Sequence, residues 1–517
     1  MTPDDLPIDE ALESPRASAH RASHGPKVPH VPRPRDTLAE RALFGPYSSV
    51  ETPQACGHAT PLPPVAAAFA ERRRGVRSTT ATRAATVSAA ASAGPAPGFP
   101  MPGSIANSSA SANSNDTGRA SARVLHVIPS LDPRMGGVVE AVVQLVRHLE
   151  PLGCASEVVT LDADEGPVHD RVRASVHRVG PGRGFYGLSP RLVGWIRANR
   201  ARFDAIVVHG IWQFHSVAAW AGVIGTRTPL FVFPHGMLDP WFERAYPAKH
   251  LKKRLYWALL ERRVFDRAHR VLFTCEEERE LARHPFLSAR HRLAVNGFGI
   301  DSVPDDIDAD AAIQAFRRTY PALDGTRIWL FLSRIHEKKG CDLLIDAFAD
   351  VAPRDPSLRL VIAGPGDAAL IASLKQQARA RGVADRIVWP GMLSGELKWG
   401  ALAAAEVFVL PSHQENFGIA VVEALASRTP VLITNRINIW REIEASGGGW
   451  ICTDTRESVR DLLARWAFDT TPDQRELMRE AAYASFETHF RIEAAARALL
   501  GHVRAAQPDK HAWRTAA

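Results

Sequence analysis

Residues 407–434 read VFVLPSHQENFGIAVVEALASRTPVLIT, and this stretch decides the fold. The apolar run Val407–Leu410 predicts a buried strand, and a second run at 430–433 predicts another. Between them lie a polar loop and a helical pattern that begins near Gly418. Strand, loop, helix and strand in this order form the repeating unit of a parallel α/β sheet.

Two carboxylates in this unit flank the start of the predicted helix. Glu415 lies in the loop above the carboxyl end of the first strand, where open α/β sheets bind ligands, and Glu423 lies one to two turns along the helix. The amides of the first helical turn suit a phosphate or a sugar oxygen, and Gly418 allows the backbone to approach a ligand closely. Carboxylates beside such a site indicate a ligand rich in hydroxyl groups, such as a sugar. The alternative is that two glutamates share a solvated helix by chance.

The same residues carry a resemblance to a known family. Glu415 and Glu423 lie eight positions apart, and Asn416, Phe417 and Gly418 follow the first of them. This pattern resembles the signature of retaining GT-B glycosyltransferases of family 4. The resemblance implies that Glu415 and the residues after it hold the donor sugar and that Glu423 holds the ribose of the nucleotide.

The resemblance also implies a fold, an activity and a setting. The fold is α/β, with two Rossmann-like, doubly wound domains that face a cleft. The activity is transfer of a hexose from a nucleoside diphosphate sugar to a saccharide or lipid-linked acceptor, with retention at the anomeric carbon. The setting is bacterial exopolysaccharide or lipopolysaccharide synthesis in the cytoplasm or at the cytoplasmic face of the inner membrane.

Composition agrees with a globular protein of this size. The chain has 517 residues, a net charge of +7 and 45% hydrophobic residues, enough for two or three domains. Its diffuse positive charge permits phosphate-bearing ligands or an anionic membrane surface but does not indicate nucleic acid. Five scattered cysteines without a C-x-x-C motif indicate neither a disulfide framework nor a zinc site. We expect no transmembrane helix and no secretory signal, since a long apolar run and an apolar N-terminal segment are both absent.

Composition and the alternation of strands and helices predict the domain organisation. Residues 1–121 are rich in Pro, Ala, Ser and Arg, with few large apolar residues, and are predicted to be disordered. The remaining segments are a Rossmann-like acceptor domain at 122–300, a linker at 301–326, a Rossmann-like donor domain at 327–490, a C-terminal helix at 491–505 and a tail at 506–517. The resemblance implies that the C-terminal helix crosses back to the acceptor domain.

The segment 333–340, SRIHEKKG, follows a predicted strand and precedes a predicted helix. Arg334 and Lys339 are cations at the ligand-binding end of that strand, where they can hold a diphosphate. Donors placed there stabilise the charge that grows on a departing phosphate. The resemblance assigns this role to Arg334 and Lys339, although Lys338 could replace Lys339. A solvated basic turn is the alternative.

Two glycine turns are further candidates. Gly364, in the turn Gly-Pro-Gly-Asp after an apolar strand, lies beside the donor nucleotide by resemblance. Gly137, in Met-Gly-Gly-Val before a helix, resembles the family's glycine loop over the donor phosphate, but without the full G-x-G-x-x-G spacing of a dinucleotide site. Ordinary connecting turns are the alternative interpretation of both.

His235 directly follows a predicted buried strand, in the sequence FPHGMLDPW. Its position and the His-Gly-Met pattern resemble the acceptor-side loop of the family, which implies that His235 hydrogen-bonds a hydroxyl of the donor sugar. Asp239 is a weaker candidate for contacting or activating the acceptor hydroxyl. His209, at the end of another strand, is a lesser candidate, for which a structural role is the preferred interpretation.

Residues 248–270 combine an apolar stripe with a basic remainder. Leu251, Leu255 and Leu259 form the stripe, and Tyr256 and Trp257 are interleaved among lysines and arginines. A basic amphipathic helix with aromatic residues is typical of a peripheral membrane contact. A surface helix packed on the sheet explains the pattern equally well.

Other functional classes remain open. Asp-x-Asp pairs at 162–164 and 308–310 fall in acidic connecting segments, so we expect no metal and no cofactor besides the nucleotide sugar. An epimerase or a phosphorylase could share the fold, and a phosphorylase usually needs a lysine-bound pyridoxal group. A non-enzymatic sugar- or RNA-binding protein is the third class, for which steep salt dependence of RNA binding would be the sign.

Overall fold

The structure, a computed structural model, describes residues 122–241, 243, 247–284 and 286–507, without the side chains of 247–250. These residues fall within one unit of the chain, Ala112–Ala517. The disorder predicted for residues 1–121 and most of the predicted tail at 506–517 lie outside the described residues.

Within the described residues, thirteen strands alternate with helices along the chain. The strands are β1 (Ala122–Val127), β2 (Cys154–Thr160), β3 (Ser175–Arg178), β4 (Ala205–His209), β5 (Leu230–Phe233), β6 (Arg270–Phe273), β7 (Leu293–Val295), β8 (Arg327–Leu332), β9 (Leu358–Ala363), β10 (Ile387–Gly391), β11 (Val407–Leu410), β12 (Val431–Thr434) and β13 (Gly449–Cys452).

The helices pack on both faces of the sheets. They are α1 (Gly137–Leu149), α2 (Pro190–Asn199), α3 (Phe214–Val223), α4 (Pro247–Tyr256), α5 (Arg262–Arg267), α6 (Glu276–Ala282), α7 (Ala309–Thr319), α8 (Cys341–Val351), α9 (Ala368–Ala380), α10 (Gly395–Ala404), α11 (Ile419–Ala426), α12 (Trp440–Ser446), α13 (Arg456–Phe468), α14 (Pro472–His489) and α15 (Ile492–Ala505). A π-helical turn, Trp257–Glu261, joins α4 to α5. Short 3₁₀ turns are Pro133–Met135, Glu150–Leu152, Arg200–Arg202, Pro321–Leu323, Glu337–Lys339, Ala352–Arg354 and Ala384–Arg386.

The described strands form two parallel sheets, which define a first lobe (β1–β7) and a second lobe (β8–β13). The strand orders are β3-β2-β1-β4-β5-β6-β7 and β10-β9-β8-β11-β12-β13. In each sheet the chain starts at a central strand, builds outward on one side and then returns to the other side. The predicted pair of doubly wound α/β domains is therefore confirmed. Ligand crevices of such sheets open where the strand order reverses, at β1 and β4 and at β8 and β11.

Burial explains why the central strands are almost uniformly apolar. All residues of β4, β5, β11 and β12 are buried, because helices cover both faces of each sheet. The stretch quoted first, Val407 to Thr434, becomes β11, the loop above it, α11 and β12. Its predicted order of elements is therefore the observed one, and it lies at the strand reversal of the second lobe.

The segment expected to be a linker, 301–326, contains helix α7 and packs into the second lobe. Ala312 and Phe316 of α7 are buried, and the helix lies against α10. A Cβ at Gly400 of α10 would lie 2.2 Å from the carbonyl oxygen of Ala312, so the close approach of these helices requires glycine. Because the segment is acidic and its apolar face is short, the sequence did not indicate this helix.

The last helix, α15, lies against α1 of the first lobe. The Ile300 amide donates to the carbonyl of Phe490 at 3.0 Å, and the Ile492 amide donates to the carbonyl of Ile300 at 3.3 Å. The side-chain amide of Asn296 donates to the carbonyl of Ala495 at 3.2 Å. The two segments that connect the lobes are thus paired with each other.

Candidate active site

The N-termini of α1 and α11 meet between the two lobes. A Cβ at Gly137, the first residue of α1, would lie 3.8 Å from Cδ1 of Ile419, the first residue of α11. Gly136 and Gly418, which precede these helices, have φ angles of +81° and +75°, in the left-handed region that favours glycine. Helix N-termini present unpaired amides and a positive dipole. This end of the cleft therefore favours negatively charged or oxygen-rich ligands.

Lys339 and Glu415 form an ion pair in the second lobe. Their side chains are only 14% and 22% exposed, so the pair is shielded from bulk water. Burial and the nearby charges of Arg334 and Lys338 lower the pKa of Lys339 to about 8, whereas the adjoining carboxylate favours the charged ammonium. Sequence reasoning had selected both members separately, and the fold brings them together.

Lys338, the alternative to Lys339, points to a different neighbour. Its Nζ lies 4.4 Å from the ring centroid of Trp241 in the first lobe. Burial lowers the pKa of Lys338 to about 8, with an opposing effect from Asp239 and a smaller lowering by Arg334. The two lysines are therefore distinguished by position: Lys339 contacts the glutamate loop, and Lys338 reaches across the cleft.

The Arg334 loop is fixed by the neighbouring glycine turn. The Ile335 amide donates to the carbonyl of Pro365 at 2.7 Å. Gly364 has a φ angle of +142°, and a Cβ there would lie 1.9 Å from the carbonyl oxygen of Ser333. Gly364 thus lets the two loops touch, while the Arg334 side chain remains exposed beside them. Direct contact between Gly364 and a nucleotide stays a prediction.

Glu423 is paired with a lysine that sequence reasoning missed. Lys398 of α10 donates from Nζ to Oε1 of Glu423 at 2.8 Å, and both side chains are largely buried. The Nζ of Lys398 also lies 4.3 Å from the ring centroid of Trp399. A single lysine in an apolar helix was the available signal, but only the packing of α10 beside α11 shows its partner.

The Phe417 ring contributes to packing between the lobes. It lies edge-on to Phe298, with centroids 4.7 Å apart, and to Phe490, with centroids 5.9 Å apart. These neighbours belong to the two segments that connect the lobes. The ring thus anchors the loop after β11. The main-chain amide of Phe417, rather than its ring, is the group that can contact a ligand.

Asn416 links the same loop to the first lobe. Its side-chain amide donates to the Thr274 hydroxyl at 3.2 Å and accepts from the Asn438 side chain at 3.3 Å. A Cβ at Gly236 would lie 2.6 Å from Cβ of Asn416. Glycine after His235 therefore allows the loop that carries His235 to approach the loop that carries Asn416.

A buried glutamate holds this junction in place. Glu278 accepts hydrogen bonds from the Gly236 amide at 2.6 Å and from the amide and hydroxyl of Thr274 at 2.8 and 2.6 Å. Burial raises the pKa of Glu278 despite these hydrogen bonds. Sequence reasoning missed Glu278, although its position in the first turn of a helix directly after a strand was a usable signal.

His235 lies at the first-lobe side of the cleft. Its φ angle is +50°, and its Nε2 lies 3.1 Å from Nδ1 of His209. Burial lowers the pKa of His235 to about 4, so the ring is neutral at pH 7. Nearby, Asp239 accepts a hydrogen bond from Gln414 of the second lobe at 3.2 Å, so this carboxylate also bridges the cleft.

Comparisons with known proteins decide the family. Residues 313–485 match the family Glycosyl transferases group 1, and residues 136–299 match the Glycosyl transferase 4-like domain. The GDP-mannose-dependent alpha-mannosyltransferase of Mycolicibacterium smegmatis is 30% identical over 335 residues, which are 60% of this chain and 79% of that relative. The chain belongs to the group 1 glycosyltransferases. The resemblance read from the Glu415 motif is thereby confirmed.

Further comparisons agree with this glycosyltransferase assignment. The GDP-mannose:cellobiosyl-diphosphopolyprenol alpha-mannosyltransferase of Xanthomonas campestris is 26% identical over 363 residues, covering 68% of this chain and 89% of the relative. The solved structure of sucrose-phosphate synthase from Thermosynechococcus elongatus superposes with a TM-score of 0.62 at 18% identity, covering 74% of this chain and 98% of the other. At that identity the structural likeness concerns the fold, which is GT-B.

Proposed function

We propose that this glycosyltransferase moves a hexose from a nucleoside diphosphate sugar to the hydroxyl of a saccharide or lipid-linked acceptor, with retention at the anomeric carbon. The observation that carries the proposal is the shielded pair of Lys339 and Glu415 beside the N-terminus of α11. This arrangement offers a cation and helix amides to a diphosphate, and a carboxylate to sugar hydroxyls.

The cations act on the leaving group. Arg334 and Lys339 hold the diphosphate, and their charge counts most as the bond from C1 to phosphate oxygen breaks. The acceptor oxygen bonds to C1 on the face that the phosphate leaves, and its proton passes to a departing phosphate oxygen. Glu415 and His235 orient the sugar, and Glu423 holds the ribose beside Lys398.

The names of two relatives guide the choice of donor. The relatives from Mycolicibacterium smegmatis and Xanthomonas campestris both carry GDP-mannose in their names. GDP-mannose is therefore the first donor to test, within a panel of GDP-, UDP- and ADP-hexoses.

The test combines binding and product analysis. We expect one donor of the panel to raise Tm and to support transfer to a lipid-linked saccharide, with the α-configuration of an α-linked donor kept in the proton NMR spectrum of the product. An inverted product would contradict retention, and failure of every donor to bind would contradict the proposed activity.

Helix α4 and the π-helical turn after it support a membrane contact for a lipid-linked acceptor. Leu251, Leu255 and Leu259 are 69%, 63% and 55% exposed, and their spacing places them on one face. The buried residues of this stretch are others, including Trp257 and Val264. The leucine stripe is therefore exposed. The alternative interpretation, a surface helix packed on the sheet, would have this stripe buried.

Charge favours an anionic bilayer as the partner of this stripe. Lys252, Arg254, Arg262 and Arg263 are exposed on the same helical stretch, and basic residues around an apolar stripe bind anionic lipid surfaces. Among the described residues, no helix combines the length and hydropathy needed to cross a membrane.

We expect the full chain to sediment with vesicles that contain phosphatidylglycerol. Changing Leu251, Leu255 and Leu259 together to glutamine should weaken this binding by about 10²- to 10⁴-fold, because each buried leucine contributes roughly 1–2 kcal/mol. Ile224→Gln is the matched control, since Ile224 is an exposed apolar residue of the same lobe (49%) outside this helix. Equal sedimentation of the triple variant and the control would refute the membrane contact.

A further inference from the structure

Three histidines form a continuous hydrogen-bonded row below the cleft. His126 lies in β1, His209 ends β4 and His235 follows β5, on adjacent strands of the first sheet. His126 Nδ1 lies 3.0 Å from His209 Nε2, and His209 Nδ1 lies 3.1 Å from His235 Nε2. The rings are stacked, with centroids 5.2 and 5.4 Å apart.

The row contains neutral imidazoles. Burial lowers the pKa of His126 and His235 to about 4 and that of His209 well below its ordinary value. A neutral imidazole has one N–H donor and one bare nitrogen acceptor. Two consecutive hydrogen bonds must therefore run in one direction, either from His126 towards His235 or the reverse.

The inner end of the row distinguishes the two directions. His126 Nε2 is buried and has no hydrogen-bond partner. If the row ran inward, this nitrogen would carry a buried N–H without an acceptor, which is rare in proteins and unfavourable. If the row runs outward, Nε2 is a bare nitrogen.

His215 shows that this fold tolerates a bare, buried ring nitrogen. Its Nε2 lies 3.0 Å from the carbonyl of His209 and 3.1 Å from the carbonyl of Gly210. Carbonyls accept only, so Nε2 carries the proton, and Nδ1 is left bare, buried and without a partner. In the outward direction His126 Nε2 is likewise a bare, buried nitrogen without a partner. It also aims the positive end of the row at the cleft, where an anionic donor binds.

We propose that His126 and His209 are positioning residues that fix His235 as its Nδ1–H tautomer and so present a hydrogen-bond donor to the donor sugar. The inference rests on the proposed function for the role of His235, but the tautomer is a property of the free protein. His209 is thereby more than a packed core residue. One ring nitrogen accepts from His126 and the other donates to His235, so the direction of the first hydrogen bond determines that of the second.

Two variants of His126 separate this role from simple packing. His126→Asp replaces the Nδ1–H donor by a carboxylate that only accepts, whereas His126→Leu changes the packing and offers His209 Nε2 no acceptor. In the aspartate variant His209 takes the Nε2–H form, because its Nε2 donates to the carboxylate and its Nδ1 then accepts from His235 Nε2. His235 is left with a bare Nδ1 and cannot donate.

The direct readout is the two-bond proton–nitrogen spectrum of ¹⁵N-histidine-labelled protein without substrate. The His235 signal is assigned by its loss in His235→Gln. We expect Nδ1–H at His235 in the wild type and in His126→Leu, where a bare His209 Nε2 avoids a buried N–H without an acceptor, and Nε2–H in His126→Asp. Nε2–H in the wild type overturns the inference, even if His126→Asp fails to fold.

Kinetics give the second readout. We expect kcat/KM for the donor to fall about 3- to 10-fold in His126→Asp, the value of one hydrogen bond, and to stay close to wild type in His126→Leu. Equal losses in both folded variants overturn the positioning role. An Nδ1–H signal at His235 in a protein that transfers from no donor leaves the tautomer standing and removes only the proposed function.

Discussion

Lys339→Ala is expected to lower kcat by about 10²- to 10³-fold, because the variant loses a preorganised cation that acts on the departing diphosphate. KM for the donor should change much less, since the charge counts most when the bond to C1 breaks. The measurement is steady-state transfer from the donor that the panel identifies. Lys338→Ala is the comparison, and its loss should be about tenfold or less because Lys338 lies over Trp241 and away from Glu415.

A double variant separates two explanations of that loss. Lys339→Ala leaves the Glu415 carboxylate in a shielded site without its cation, and an unpaired buried charge is itself unfavourable. In Lys339→Ala/Glu415→Gln this charge is gone. We expect kcat to stay low, and recovery towards wild type would mean that Lys339 merely neutralises Glu415. A larger loss in Lys338→Ala than in Lys339→Ala would transfer the diphosphate role to Lys338.

Gly364→Ala is expected to lower Tm by about 5–10 °C, because the new Cβ meets the carbonyl of Ser333 at a φ angle that only glycine adopts readily. Relief of this clash requires the loop that carries Arg334 to move away. Since a displacement of about 1 Å at a catalytic group costs on the order of 10²-fold in rate, kcat should fall by a similar factor. Thermal unfolding and steady-state transfer measure the two effects.

Gly391→Ala is the matched control for this prediction. Gly391 also has a positive φ, +74°, and its carbonyl accepts from the Gly364 amide at 2.7 Å. A Cβ at Gly391 meets nothing within 4 Å, so this variant has the backbone strain without the clash. If both alanine variants lose stability equally, contact between the two loops is not the reason for Gly364.

The sequence was most informative where one local pattern determines one local structure. The apolar runs around residues 407–434 predicted β11, α11 and β12, because buried parallel strands need apolar side chains on both faces. The glycine before α11 and the carboxylates near it could be chosen as candidate site residues, because they lie at the carboxyl end of a predicted strand and the start of a helix. The helix in 301–326 was missed, because two buried residues, Ala312 and Phe316, carry its packing within an acidic segment.

Long-range pairs could not be read from the sequence. Glu423 and Lys398 lie on different helices, and Asn416 meets Thr274 across the cleft. Such contacts depend on how layers pack, which local periodicity does not encode. Phe417 belongs to the motif on which the family resemblance rests, yet its ring packs against Phe298 and Phe490. A motif residue can thus serve the arrangement of the lobes.

The paired connecting segments also determine how the cleft can open. Ile300 and Arg491 form a bridge between the two chain crossings, so both crossings act as one narrow pivot. Phe417 touches both of them, which places the loop that carries Glu415 next to this pivot. If the lobes rotate about this pivot, we expect this loop to move least and contacts farther from the axis to separate most. Such a rotation would widen the cleft while Glu415 keeps its place beside Lys339.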